Sequence, residues 1–549
     1  MVAVSRRPRL RSVGTGTLAT LTIERHVCNL LGVGAMPAEP PAWPPDAFAV
    51  CASLLHRSGA YVNVLEQWPP STPPRRRGRR SAPWVDEIVQ TGRSWRKVRS
   101  PPSSVLASWQ AIFAARSEAV VQIGVLAAVW QALVEVAAAA DEACEGAGRP
   151  APKGRMRDEL ADELVLQLLT TQKSGTTLCR GVDESLVRVL PKSHTPQCGA
   201  TLRSLTHHLA LIHHSDVIPF WHSVPSAVPR HGLNLLLMPF PMDVRPSSFS
   251  PAPAPPGNMD ETRFGLFEYR AGGGGPAAGE AQRCIERARE MVGQVDGLVF
   301  PELALDERGR SDVEHLARKE GVFVIAGVGR RPVDGTSLGE NLVYFYATTP
   351  QARDVAVAFE QHKHHRWRLD RGQIVQYGLG GRLDPARSWW EATRLGRREL
   401  KFVTIHDWFT LCTLVCEDLA RQDPVAQLVR SVGPNLVVAL LMDGPQTAAR
   451  WSARYATVLA DDPGCSVLTL TCAGMMELAR PVAGVARSRA VALWKDPSGG
   501  TTEIELPVGS RAVLLSLARE RDEEWTSDGR RHITEGGRLV LVGVHAVTP

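Results

Sequence analysis

The sequence predicts an α/β domain preceded by a mainly helical region. Three observations carry this. Up to about residue 230, apolar residues recur at helical spacing between proline-rich breaks. From about residue 231, short β-rich runs alternate with amphipathic helical stretches. The runs between those helices are apolar throughout, as expected of strands in a sheet covered by helices on one face or both. At 549 residues the chain exceeds one ordinary core. The expected division is 1–230, an accessory helical region with Pro-rich linkers, and 231–549, the α/β domain.

The elements follow in chain order. Joints are marked by "PAEPPAWPPD" (37–46), "PPSTPPRRRGRRSAP" (69–83) and "SSFSPAPAPPGN" (247–258). Between them "SVLASWQAIFAARSEAVVQ", "RDELADELVLQLLTT" and "TLRSLTHHLALIHH" read as helices. Beyond residue 231, "LNLLLMPFPM" reads as a strand, "GEAQRCIERAREMVGQ" as a helix, "DGLVFPE" as a strand and "SDVEHLARKE" as a helix. "GVFVIAGVG", "NLVYFYA" and "VAVAFEQHKH" are strands, the last two paired. "ELKFVTIHDWFTLCTLVC" holds two strands. "NLVVALLMD" and "SVLTLTCAG" are strands flanking the helix "ARWSARYATVLADD", and "VALWKDPSGGTTEIELP" folds back at a Gly turn.

Composition narrows the function classes. A hydrophobic share of 44% and a formal charge of +6 are ordinary for a globular chain and by themselves require neither nucleic acid nor membrane. Ten cysteines without a CxxC pair fit neither a disulfide scaffold nor a zinc module, and with an N-terminus unlike a signal peptide they point to the cytoplasm. The apolar stretch 119–140 is broken by Gln122, Gln131 and Glu135 and reads as a buried bundle helix rather than a membrane span. Arg75, Arg76, Arg77, Arg79 and Arg80, near Trp84 and Trp95, form the one basic patch suited to nucleic acid; a solvated linker is the preferred reading. The "QHKHHRW" and "HHLALIHH" histidines lack metal-ligand spacing, so no metal is expected.

Three polar residues stand at or near strand ends, where α/β domains bind ligands: Glu302 in "LVFPELAL", Lys363 in "FEQHKHHRW" and Cys416 in "TLVCEDLA". Glu, Lys and Cys in this order and context resemble the nitrilase (carbon–nitrogen hydrolase) superfamily. "GLVFPELAL" is similar to its catalytic-glutamate segment, "EQHKHH" to its lysine segment and "CTLVCEDLAR" to its nucleophile segment. The tail "PNLVVALLMD" with "WSARYATVLADDPGCSVLTLTCAGM" extends the resemblance over roughly 233–517. It implies a four-layer α-β-β-α sandwich that forms a homodimer or higher oligomer. It also implies hydrolysis of a non-peptide carbon–nitrogen bond in a small-molecule amide or nitrile, the amide being preferred, with no cofactor. Cys416 would be the nucleophile, Glu302 the general base and acid, and Lys363 with the backbone N–H of Glu417 the oxyanion donors.

The family's second glutamate, which orients the lysine, has its nearest counterpart here in the neutral Gln373, with Glu391 as a more distant substitute. Position after strands and at loop ends makes Trp408, Met442, Asp443 and Trp451 candidate pocket walls, and His365 a further one. Two other functions suit the same residues. One is a ligand-sensing or interaction module of this fold with little or no turnover, for instance in a bacterial defence system. The other is a nucleic-acid-associated partner acting through the arginine run.

Overall fold

The computed structural model describes residues 21–67, 83–150, 159–224, 232–253, 260–270, 277–332, 338–349, 352–406, 408–480, 487–521, 523–533 and 537–549. The arginine run at 75–80 lies outside them. The chain divides into two compact units, 1–143 with 180–187, and 144–179 with 188–549.

The first unit is helical: α1 (Ile23–Leu31), α2 (Pro44–Ser58), α3 (Pro83–Val98), α4 (Ser103–Ala114) and α5 (Ala127–Ala143). Thr22 caps α1 by accepting from Arg25 N, and Pro44 opens α2 where a helix lacks use for an N–H. The apolar stretch 119–140 is split into a 3₁₀ turn (Val120–Val125) and α5. Val129, Leu133, Val136 and Ala140 of α5 are buried, while Glu135 faces out and accepts from Ser108 Oγ. Gly92 of α3 lets the α5 backbone approach; a Cβ there would stand 2.8 Å from Ala139 O. Among the described residues no helix is long and apolar enough to cross a membrane. Trp95, a candidate for base stacking, is fully buried and donates Nε1–H to Ala42 O.

The second unit is mixed α/β, with two seven-stranded sheets. In chain order the strands are β1 (Ile218–Val224), β2 (Gly232–Leu237), β3 (Gly297–Leu305), β4 (Phe323–Arg330), β5 (Glu340–Thr349), β6 (Ala352–His362) and β7 (Glu399–Ile405). They continue as β8 (Phe409–Val415), β9 (Leu436–Leu440), β10 (Ser466–Leu470), β11 (Ala490–Lys495), β12 (Thr501–Glu505), β13 (Ala512–Glu520) and β14 (Arg538–Val547). One sheet runs β6-β5-β4-β3-β2-β13-β14, the other β12-β11-β10-β9-β8-β7-β1. Each has a parallel centre (β2, β3, β4; β8, β9, β10), and those strands are the continuous apolar runs of the sequence.

Helices α6 (Glu159–Thr170), α7 (Ala277–Val292), α8 (Glu307–Glu320), α9 (Glu417–Ala420) and α10 (Trp451–Asp461) complete the elements used below. Asp306 caps α8 by accepting from Gly309 N at 2.8 Å, and Gly321 ends it at φ +68°. Cys284, Ile285 and Ala288 of α7 with Val313, Leu316 and Ala317 of α8 share one core with the first sheet. Strand β3 lies against β9, and β5 against β8, so the two sheets meet at the strands that carry Glu302 and lead to Cys416.

Two sequence readings change. "HHLALIHH" is not a helix: Leu209–His213 is a buried strand, an apolar run too short for its periodicity to distinguish the two. Ile218–Val224, assigned by sequence to the helical region, pairs parallel with Glu399–Ile405 as an edge of the second sheet.

Candidate active site

Glu302 stands where β3 leaves its ladder. Pairing with β4 shifts register between Phe300 and Leu305, and Leu303 takes φ +53°. The bulge is possible because Gly327 faces it on β4. A Cβ at Gly327 would come within 2.3 Å of Pro301 O and 2.5 Å of Glu302 Cα. Lys363 follows the last residue of β6, with its N–H held by Asn341 O at 2.9 Å. Cys416 follows β8, with its N–H donated to Leu440 O at 2.9 Å, at φ +46° and ψ −106°. A non-glycine residue held there costs on the order of 1–3 kcal/mol, strain that collects at functional sites.

The side chains converge without solvent. Lys363 Nζ donates to Glu302 Oε1 and to Glu391 Oε2, each at 2.7 Å. Asn341 Nδ2 bridges the same carboxylates, donating to Glu302 Oε1 at 2.8 Å and Glu391 Oε1 at 2.6 Å. Glu391 Oε2 also accepts from Trp367 N at 3.2 Å. Two features of this cluster stay open. Glu302 Oε2 has no hydrogen-bond partner among the described residues, and the third proton of Lys363 has no acceptor among them.

Burial sets the protonation states. It raises the Glu302 carboxyl; Lys363 pulls it down and Glu391 adds to the rise, leaving it above the ordinary value. Burial also acts to strip Lys363 of its proton, but Glu302, Glu391 and Cys416 outweigh it and the ammonium is held well above its usual range. Cys416 is 2% exposed; burial, then Glu302, raises its thiol against the pull of Lys363. The resting site is therefore a neutral thiol beside an ammonium and two carboxyl groups.

Gln373, the nearer counterpart in sequence, does not stand against Lys363; Glu391, the more distant one, does. Gln373 is spent elsewhere: with Asp370 it forms the capping box of the helix Arg371–Gln376, its Oε1 accepting from Asp370 N and nothing from Lys363. Trp408 is likewise not at the site. It stands eight residues before Cys416, at the other end of β8, roughly 25 Å away at about 3.3 Å per residue. There it packs with Phe409 under the Arg519 guanidinium. Met442 is buried in an aromatic core with Trp367, Tyr377 and Met475. Asp443 and Trp451 meet: Trp451 Nε1 donates to Asp443 Oδ2 at 2.9 Å, while Tyr377 and Arg450 donate to Oδ1. The Asp443 charge adds, after burial, Glu302 and Glu417, to the rise of the Cys416 thiol. Glu417 opens α9, so its N–H lies in a first turn without an intrahelical acceptor.

Two positioning residues escaped the sequence reading. Asn341 lies in the buried run of β5 and shows itself only once strands pair. Asp418, two residues after Cys416, accepts from the backbone N–H groups of His364 and His365 at 3.1 Å, and meets His365 Nδ1 at 3.1 Å. It fastens the Lys363 loop to the Cys416 turn. His365 is thus an anchor for Asp418, not a pocket wall. Among the described residues no group of three or more His, Cys, Asp or Glu side chains is placed to share a metal ion.

The chain is similar in structure to nitrilase-superfamily proteins over about half its length. An amidase from Nesterenkonia sp. matches with 13% identity over 53% of this chain and 92% of its own, at a TM-score of 0.31. A C-to-A mutant of the Nesterenkonia AN1 amidase from the nitrilase superfamily matches over the same shares with 14% identity and a TM-score of 0.31. Nit3 of Saccharomyces cerevisiae, a member of the nitrilase superfamily, matches with 12% identity over 52% and 90%, at a TM-score of 0.30. No family model and no curated protein matches the sequence.

Proposed function

We propose that this chain hydrolyses a non-peptide carbon–nitrogen bond of a small molecule, an amide rather than a nitrile, through Cys416, Glu302 and Lys363. The observation that carries the reading is the division of labour on Glu302: Oε1 is held by Lys363 and Asn341, and Oε2 is open. In this reading Oε2 takes the Cys416 proton as sulfur bonds to the carbonyl carbon. The oxyanion draws on the third Lys363 proton and the Glu417 N–H. The C–N bond then breaks as Glu302 returns the proton to nitrogen, and the amine leaves a thioester. Water attacks that carbon, Glu302 takes a proton from the water, the C–S bond breaks, and the thiolate is reprotonated.

The same proposal includes the four-layer α-β-β-α arrangement, self-association as a homodimer or larger and a cytoplasmic setting. The chemistry would lie within 231–549 and the region before 230 would be accessory. Incubating the full chain with a panel of amides and nitriles, with ammonia release as the readout, tests it. Turnover of an amide that disappears in Cys416→Ala supports it, and sedimentation of the same protein reports the oligomer. A second reading, ligand sensing without turnover, is favoured by the 2% exposure of Cys416. It predicts ligand binding that persists in Cys416→Ala with no ammonia released by either protein.

A further inference from the structure

A cavity of about 690 Å³ opens beside the Glu302–Lys363 pair, yet Glu302, Lys363 and Cys416 do not line it. Its walls include Phe267, Trp367, Tyr269, Asn341, Glu391 and Thr393. Its volume is that of a small-molecule site. Three of these residues carry polar atoms the fold leaves unused: Asn341 Oδ1, Thr393 Oγ1 and Tyr269 Oη are buried and have no hydrogen-bond partner among the described residues. Buried polar atoms are nearly always paired, and three idle ones around one cavity call for a ligand.

Their chemistry specifies it. The Asn341 oxygen accepts only, so the ligand must present an N–H; the two hydroxyls can donate, so it must also present an acceptor. Phe267 and Trp367 stand edge-to-face, 5.6 Å between centroids, and supply an apolar wall for a planar body. Both oxygens of Glu391 are already engaged by Asn341, Lys363 and Trp367, and the other charges of the lining balance, four Asp or Glu side chains against four Arg, so no net charge calls for an ion. We propose that this cavity is a second ligand site, separate from Cys416, that takes a neutral aromatic carboxamide. Its occupant shares a wall with the catalytic cluster, because Asn341 and Glu391 belong to both. The inference stands whether or not Cys416 turns over substrate.

Benzamide is the probe, titrated by calorimetry into the full chain with Cys416 carboxamidomethylated, or replaced by Met where it resists the reagent. Binding is expected to persist after that block and to weaken about fivefold in each of Thr393→Val and Tyr269→Phe, the effect of one hydrogen bond. The hydroxyls have no partner among the described residues, so the thermal midpoints of both variants should stay level or rise. No binding at millimolar benzamide, binding abolished by the block at Cys416, or affinity unchanged from wild type in both variants would overturn the proposal. An inert Cys416 would overturn the hydrolase reading alone and leave benzamide binding untouched.

Discussion

Glu302 and Lys363 define each other at the scale of single residues. An ammonium with 0% side-chain exposure is tolerated because two carboxylates face it at 2.7 Å. Removing one member of such a cluster leaves uncompensated buried charge, which costs about 3–5 kcal/mol. Lys363→Met should therefore lower the denaturation midpoint strongly at neutral pH. The sign with pH follows from Glu302, whose carboxyl the fold already raises. Without the ammonium that carboxyl rises further above its unfolded value. Raised carboxyls favour the native state at low pH and lose that contribution as pH rises. The gap between wild type and Lys363→Met, measured by urea unfolding, should be small near pH 4 and wide near pH 8. Glu391→Gln keeps a hydrogen-bonding oxygen for Lys363 and should be the milder change.

At the scale of elements, the site depends on how strands and loops are pinned. Gly327→Ala would drive a Cβ into the Glu302 backbone, where neither strand can yield, so it should cost more than 2 kcal/mol and displace Glu302. Gly329→Ala meets only the Leu303 Cδ2 atom at 2.9 Å, the end of a flexible side chain, and should be nearly neutral. Comparing the two by thermal unfolding isolates the bulge. Asp418→Ala removes the acceptor that ties His364 and His365 to the Cys416 turn, and should cost about 1.5–3 kcal/mol and loosen the Lys363 loop. Much of this scale was legible in the sequence where it is local. The strand ends bearing Glu302, Lys363 and Cys416, and the helices α7, α8 and α10, follow from periodicity and order. What pairing decides was not. Glu391 reaches Lys363 from a short strand, Ser388–Glu391, that runs parallel to Phe264–Tyr269, a partner more than a hundred residues earlier. No spacing from Lys363 distinguishes it from Gln373. Trp408 was misplaced for a related reason: the direction of β8 sends its two ends to opposite edges of the sheet.

At the scale of the whole molecule, the second unit carries buried histidines that bind it to a pH range. Burial holds His207 and His208 well below the usual histidine value; Arg530, His532 and Lys192 add to this for His207, and His532 and Arg149 for His208. Burial and Lys401 lower His222 to about 4. Groups depressed in the fold stabilise it fully above their unfolded value of 6.5, and that contribution is lost as pH falls toward the folded one. The thermal midpoint should drop between pH 6.5 and 4, and less so in His222→Phe. The central claim concerns the reactivity of one sulfur among ten thiols. It is tested most directly by alkylation followed by intact-mass and peptide mapping, across pH, in wild type and Glu302→Gln. A base-assisted Cys416 should react faster than buried Cys412 and Cys465, with a rate that climbs as Glu302 loses its proton. Glu302→Gln should slow it by about 100-fold or more. Labelling of Cys416 as slow as that of Cys412 and Cys465, and indifferent to Glu302→Gln, would contradict the account.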